Sequence, residues 1–103
     1  QLLRLANAYD LWFHVADGPG THVILRRDHP GHEPPRRSLE EAAGLAGLAS
    51  YAAKAGTADV WMARVGDVRR VKGGAPGQVT VTRILETLRA AVDPALEKLR
   101  KKA

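Results

Sequence analysis

The chain has 103 residues, no cysteine, and 16 Lys plus Arg against 11 Asp plus Glu, a formal net charge of +5. That length supports one modest core, and the lack of thiols excludes disulfides, thiolate catalysis and cysteine-based zinc sites. A basic surplus on so small a domain favours polyanionic partners, because each phosphate neutralised releases counterions.

Taken in chain order, Leu2, Leu5, Ala6 and Tyr9 recur at helical spacing and predict a helix over residues 2–9. No capping residue precedes it, so the chain reads as a piece of something longer. In "LWFHV" the β-favouring aromatics alternate: Leu11, Phe13 and Val15 share one face, Trp12 and His14 the other. "ADGPG" turns the chain, since Pro19 cannot continue a ladder. "THVILR" returns as a second strand with Val23 and Leu25 on one side and His22 and Ile24 on the other, which predicts a hairpin.

"DHPGHEPPRR" is a loop by composition. Ser38 then predicts a helix start as a capping box with Glu41, and Gly56 predicts its end. The interior of this helix is nearly all small (Ala42, Ala43, Ala46, Ala49, Ala53), which suits a central helix lying close against a sheet. "ADVWMARVGDVRRV" predicts a strand, with Val60, Met62 and Arg64 alternating against Trp61 and Ala63. "KGGAPG" is a second Gly-Pro turn and "QVTVT" another strand. "RILETLRAAV" fits helical spacing about as well as a short hairpin, and "ALEKLRKKA" after Pro94 has helical residues and a basic end. The expected class is α+β: an antiparallel sheet of hairpins, a central Ala-rich helix packed on it, and short terminal helices. One domain is expected over residues 1–103, with 95–103 as its basic tail.

Four histidines raise the question of a metal. His14 and His22 are predicted to face each other across the hairpin, and Asp10 or Asp17 could add a ligand. There is no His-x-His or His-x-x-x-His spacing, however, so no metal is expected, and no other cofactor. His29 and His32 lie in the Pro-rich loop. Ser38 is assigned to a cap and Ser50 to a helix, neither in a nucleophile elbow, and neither Gly-rich turn has the form of a nucleotide loop. An enzyme is not expected.

The cations carry more information. They cluster beside turns: Arg26 and Arg27, Arg36 and Arg37, then Arg69, Arg70 and Lys72, then Lys98, Arg100, Lys101 and Lys102. Arginine suits phosphate contact and base stacking. Trp12, Trp61 and His14 are candidate stacking faces for unpaired bases, set against a core reading that is favoured for Trp61 and evenly balanced for Trp12. Four phosphate contacts would give a log K against log salt slope of about −3 on single strands.

"DLWFHVADGPGTHVILRR", "SLEEAAGLAGLASYAAKAG" and "VRRVKGGAPGQVTV" together resemble the NFACT-R domain of the RqcH and NEMF ribosome-quality-control family, whose members were once described as fibronectin-binding. Asp10, Trp12, His14, Pro19, Gly20, His22 and Val23 match the first motif. Val68, Arg69, Arg70, Lys72, Gly73, Pro76, Gly77 and Val79 match the last.

The absence of cysteine and of a leader-like or spanning apolar run leads to the expectation of a cytoplasmic protein. The resemblance implies an RNA-binding module that contacts tRNA or large-subunit ribosomal RNA, with a protein partner reached through a longer parent chain. It also favours a closing strand in "ETLRAAVDP". The implied surface is Trp12, His14, His22, Arg26, Arg27, Arg69, Arg70 and Lys72. Two rivals stand beside it: a protein-binding adhesin-type module, and a metal-dependent enzyme using His14, His22 and Asp17. No apolar run reaches membrane-span length, so no membrane partner is expected.

Overall fold

The computed structural model describes residues 5–75 and 78–98, and among these six strands and one long helix follow one another. Strands β1 (Leu11–Val15) and β2 (Val23–Leu25) precede helix α1 (Arg36–Leu48), and β3 (Thr57–Arg64) follows it. A single 3-10 turn (Val65–Asp67) leads to β4 (Val68–Arg70), then come β5 (Val79–Val81), β6 (Glu86–Ala91) and a second 3-10 turn at Pro94–Leu96. The class is α+β, with one helix on an antiparallel sheet.

Four strands form that sheet in the order β2-β1-β3-β6, and β4 and β5 pair separately. The hairpin expected from residues 11–25 is present, with Leu11 opposite Leu25 and Phe13 opposite Val23. As the alternation predicts, Leu11, Phe13 and Val15 are buried in one cluster with Val60, Met62, Leu88 and the alanines of α1. The opposite face carries a smaller cluster of Trp12, Ala63, Val65 and Val68, against which Ile24, Trp61, Val79 and Val81 pack. One sheet therefore has two dissimilar faces: a helix covers the first, and the β4–β5 ribbon partly covers the second.

The small residues of α1 set its distance from the sheet. A Cβ built on Gly44 would lie 2.7 Å from the carbonyl oxygen of Ala91, and one on Gly47 would lie 2.8 Å from Val92. Only glycine fits where the helix crosses the end of β6.

The structure corrects the expected limits of this helix. It begins at Arg36, with Pro35 in the capping position and no side-chain cap. The Pro35 carbonyl accepts from the amides of Ser38 and Leu39, at 2.9 and 3.3 Å, so Ser38 already lies inside the first turn. The proline fixes an extended approach (φ −56°, ψ 145°) that launches the helix without a hydroxyl cap. Glu41 pairs with Arg37 instead (3.4 Å).

The helix stops at Leu48 rather than near Gly56. There Ser50 Oγ donates to the Gly47 carbonyl (2.7 Å) and accepts from the Ala52 amide (3.1 Å), which turns the chain out of the helix. Gly56, at φ +82°, sits instead at the entry to β3.

The strand expected across residues 58–71 is broken at Val65. The turn before β1 blocks its continuation: Val65 and Gly66 amides donate to Asp10 and Ala8 carbonyls, both at 2.9 Å. The ambiguous segment is a strand, with Leu88 opposite Val60 and Ala90 opposite Ala58. The helical spacing there rested on Ile84 and Leu85, which are exposed.

The expected terminal helices extend beyond the described residues, within which Leu5 at one end and Glu97 and Lys98 at the other are helical. Residues 6–10 run as turn and bend, closed by the Asp10 amide on the Asn7 carbonyl (3.0 Å). At the other end Asp93 caps the 3-10 turn by accepting from Ala95 (2.9 Å). Residues 1–4, Pro76, Gly77 and 99–103, including Arg100, Lys101 and Lys102 of the expected tail, lie outside the described residues.

Candidate nucleic-acid interface

The histidines of β1 and β2 meet as their spacing predicts. His14 and His22 ring centroids are 5.3 Å apart and nearly perpendicular. Trp12 lies parallel to His14, at 5.6 Å and 4°, and its indole N–H donates to His22 Nδ1 at 2.9 Å. An indole nitrogen only donates, so His22 Nδ1 must be the acceptor and its proton must sit on Nε2. His14 Nδ1 lies 2.8 Å from the Val15 carbonyl. A carbonyl only accepts, so that nitrogen carries a proton. The three rings form a fixed set in which each orients the next.

This geometry corrects the roles expected of the two tryptophans. Trp12 is 1% exposed, so it has no open face for a base and serves to hold the two imidazoles. Trp61, expected in the core, is only partly buried. The register of β1 and β3 places it directly opposite His14, a pairing that neither strand's sequence discloses alone.

Trp61, His14 and Gly20 form part of one wall of a groove of about 950 Å3, with Gln78, Val79 and Ile84 opposite. Among the described residues, no carboxylate, lysine or arginine lines it. The loop over residues 16–22 is tied to the end of α1: Gly20 bridges Ser50, and the Thr21 amide donates to Ala49 (3.2 Å). Gly18, at φ +113°, passes beneath the Tyr51 ring, which a Cβ would strike at 2.6 Å. The Tyr51 hydroxyl donates to Asp17 (2.7 Å), which holds its own proton more tightly and raises its pKa.

The expected arginine surface divides into three groups. Arg27 is structural. Its amide donates to the buried Asp10 carboxylate (2.8 Å), and its guanidinium donates to the carbonyls of Tyr9, Pro30 and His32. Asp10 also accepts from the Asn7 amide at 2.8 Å. Together they fasten the N-terminal turn to the Pro-rich loop, and these bonds occupy the Arg27 guanidinium. Arg69 likewise donates to the Gly66 and Val68 carbonyls.

Arg36, Arg37, Arg64 and Arg89 pair with carboxylates. The Arg36–Glu86 pair is bidentate, at 2.9 and 2.6 Å. Arg36 hydrogen bonding and charge lower the Glu86 pKa, and Glu86 raises that of Arg36.

Arg26, Arg70 and Lys72 are exposed and, among the described residues, make no ion pair. The alternation of β2 puts Arg26 on the side of His22 and Ile24. The register of β4 with β5 puts Arg70 opposite Val79, on the side that faces the groove.

The ligands considered for a metal are apart. Both oxygens of Asp10 accept backbone amides and Asp17 is held by Tyr51, and among the described residues no three His, Asp or Glu side chains gather to hold a metal. Nor, among those residues, is any helix long and apolar enough to cross a membrane.

Residues 2–83 match the family described as the NFACT protein RNA binding domain. The chain belongs to this family. It is 34% identical to the Rqc2 homolog RqcH of Bacillus subtilis over 77 residues, which is 75% of this chain and 13% of that protein. Against the Rqc2 homolog RqcH of Streptococcus pneumoniae the identity is also 34%, over 87% of this chain and 16% of the relative. The chain thus spans about a sixth of the curated relatives or less. The solved C-terminal region of the fibronectin/fibrinogen-binding protein from Streptococcus suis superposes with a TM-score of 0.84 at 31% identity. That match covers 95% of this chain and 39% of the solved one.

Proposed function

We propose that this NFACT-R chain acts over residues 1–103 as one RNA-binding domain. It contacts tRNA or large-subunit ribosomal RNA in ribosome-associated quality control of stalled nascent chains, in the cytoplasm, and it binds without catalysing a reaction. The observation that carries this reading is the uneven pairing of charge. Arginines on the helix side are matched to carboxylates, while Arg26, Arg70 and Lys72 are left for phosphates. In this reading Arg27 and Arg69 shape the surface from behind, and His14 and His22 form its polar centre.

The test is anisotropy of labelled tRNA against the purified chain from low to moderate salt. Three phosphate contacts predict a log K against log salt slope of about −2 to −3, depending on whether the contacted RNA is single-stranded or helical. Binding that is absent at low salt, or indifferent to salt, would contradict the proposal.

The S. suis relative, a fibronectin/fibrinogen-binding protein, favours a second reading, a protein-binding module. It predicts retention on immobilised fibronectin together with no affinity for tRNA.

A further inference from the structure

We propose that the groove between the two sheets receives one unpaired base of the bound RNA, stacked on Trp61, with Arg70 on its phosphate. This rests on the RNA-binding reading and specifies the part of the RNA it takes. The groove volume, about 950 Å3, lies in the range of small-ligand sites.

Its lining suits a flat, electron-rich ring carrying negative charge. The wall holds indole and imidazole rings, and among the described residues no carboxylate lines it to repel a phosphate. Of the two tryptophans, Trp61 keeps open surface while Trp12 is sealed. His14, across the register from Trp61, is locked by Trp12 and by the Val15 carbonyl, so the wall is rigid before a ligand arrives. Ordering little on binding is what a stacking platform requires.

A polar edge faces this platform. Gln78 lines the groove, and its Oε1 accepts from the Ala75 amide at 3.1 Å. That bond fixes which end of the amide is turned away, so the Nε2 group is left with two donors for the carbonyl or ring nitrogen of a base. Arg70 begins on the groove side of β4. A base inserted between the walls would therefore carry its own phosphate toward this guanidinium. Bases in duplex RNA have both faces covered by their neighbours, so the groove selects loops, bulges and free ends.

The experiment is a titration of the intact wild-type chain, followed by NMR, with adenosine monophosphate and, separately, ribose 5-phosphate. The expected result is movement of the Trp61 ring signals with the nucleotide and not with the sugar phosphate. In parallel, Trp61→Ala should weaken a short single-stranded oligoadenylate about fivefold or more, and Trp61→Phe should retain most of the affinity. Should Trp61→Ala fail to fold, the wild-type titration and Trp61→Phe decide.

Identical shifts with nucleotide and sugar phosphate, or full oligoadenylate affinity in folded Trp61→Ala, would overturn the base pocket while leaving salt-dependent RNA binding intact. Absence of any RNA binding would overturn both readings.

Discussion

The two faces of the four-stranded sheet are built from alternate residues of the same strands, yet they differ in almost every property that matters. Toward α1, Leu11, Phe13, Val15, Val60 and Leu88 are sealed beneath a helix of alanine and glycine. The arginines on that side are held by Glu40, Glu41 and Glu86. Toward the β4–β5 ribbon, the same strands present Trp12, His14 and Trp61 and the cover is incomplete. Arg89 pairs with Asp59 on this face, whereas Arg26 and Arg70 make no ion pair among the described residues. The difference teaches that stability and recognition are divided across one sheet. Burial and pairing are spent on the helix side, and the second face keeps rings and charge available.

Substitutions can break that division or sharpen it. The largest effect expected is from Phe13→Ala. Its ring is fully buried in the helix-side core, so removal should cost about 3–5 kcal/mol by the cavity it leaves. Denaturant unfolding measures this, and the domain is small enough that much of it should unfold. Gly44→Ala is next. The new methyl meets Leu96 and the Ala91 carbonyl at 2.5 and 2.7 Å, and overpacking of this kind costs roughly 1–3 kcal/mol. RNA affinity of the folded fraction should be retained, since no groove residue is touched. If Gly44→Ala weakened RNA binding as much as it weakened the fold, the two faces would not be separable.

The smallest effect belongs to Glu86→Gln, which removes a solvent-exposed ion pair and should lower Tm by a few degrees at most. Its pH dependence follows from the sign of the shift. Arg36 depresses the Glu86 pKa, so the stabilisation is present above the ordinary carboxylate value of 4.5 and is lost as pH falls through the lower folded value. Thermal melts of wild type and Glu86→Gln should therefore differ near neutral pH and converge in acid.

Much of the main sheet was legible from alternation. The period-two pattern of residues 11–15 and 22–25 assigned every side chain to its correct face, because a one-residue slip would have put Phe13 into solvent. The closing strand was not legible from periodicity. Ile84 and Leu85 precede Leu88 at helical spacing, and only pairing with β3 shows that they fall outside the buried set.

At the interface, the meeting of His14 with His22 could be read from hairpin alternation. The exchange of roles between Trp12 and Trp61 could not, since it depends on how β4 and β5 fold back over the sheet. The division among the arginines was also hidden. Arg26 and Arg27 are neighbours in sequence, but the buried Asp10 takes the amide of one and three carbonyls take its guanidinium. Backbone acceptors leave no trace in a residue pattern.

The central claim is that the exposed cations of the β4–β5 hairpin that pair with no carboxylate, and not those beside the helix, neutralise phosphate. The most direct measurement is the salt dependence of RNA affinity for two double variants, Arg70→Ala with Lys72→Ala and Arg36→Ala with Arg37→Ala, against wild type. The account predicts that the first pair flattens the log K against log salt slope by about 1.4 on single-stranded RNA and that the second leaves it unchanged. Equal flattening by both pairs, or flattening by the helix-side pair alone, would contradict it.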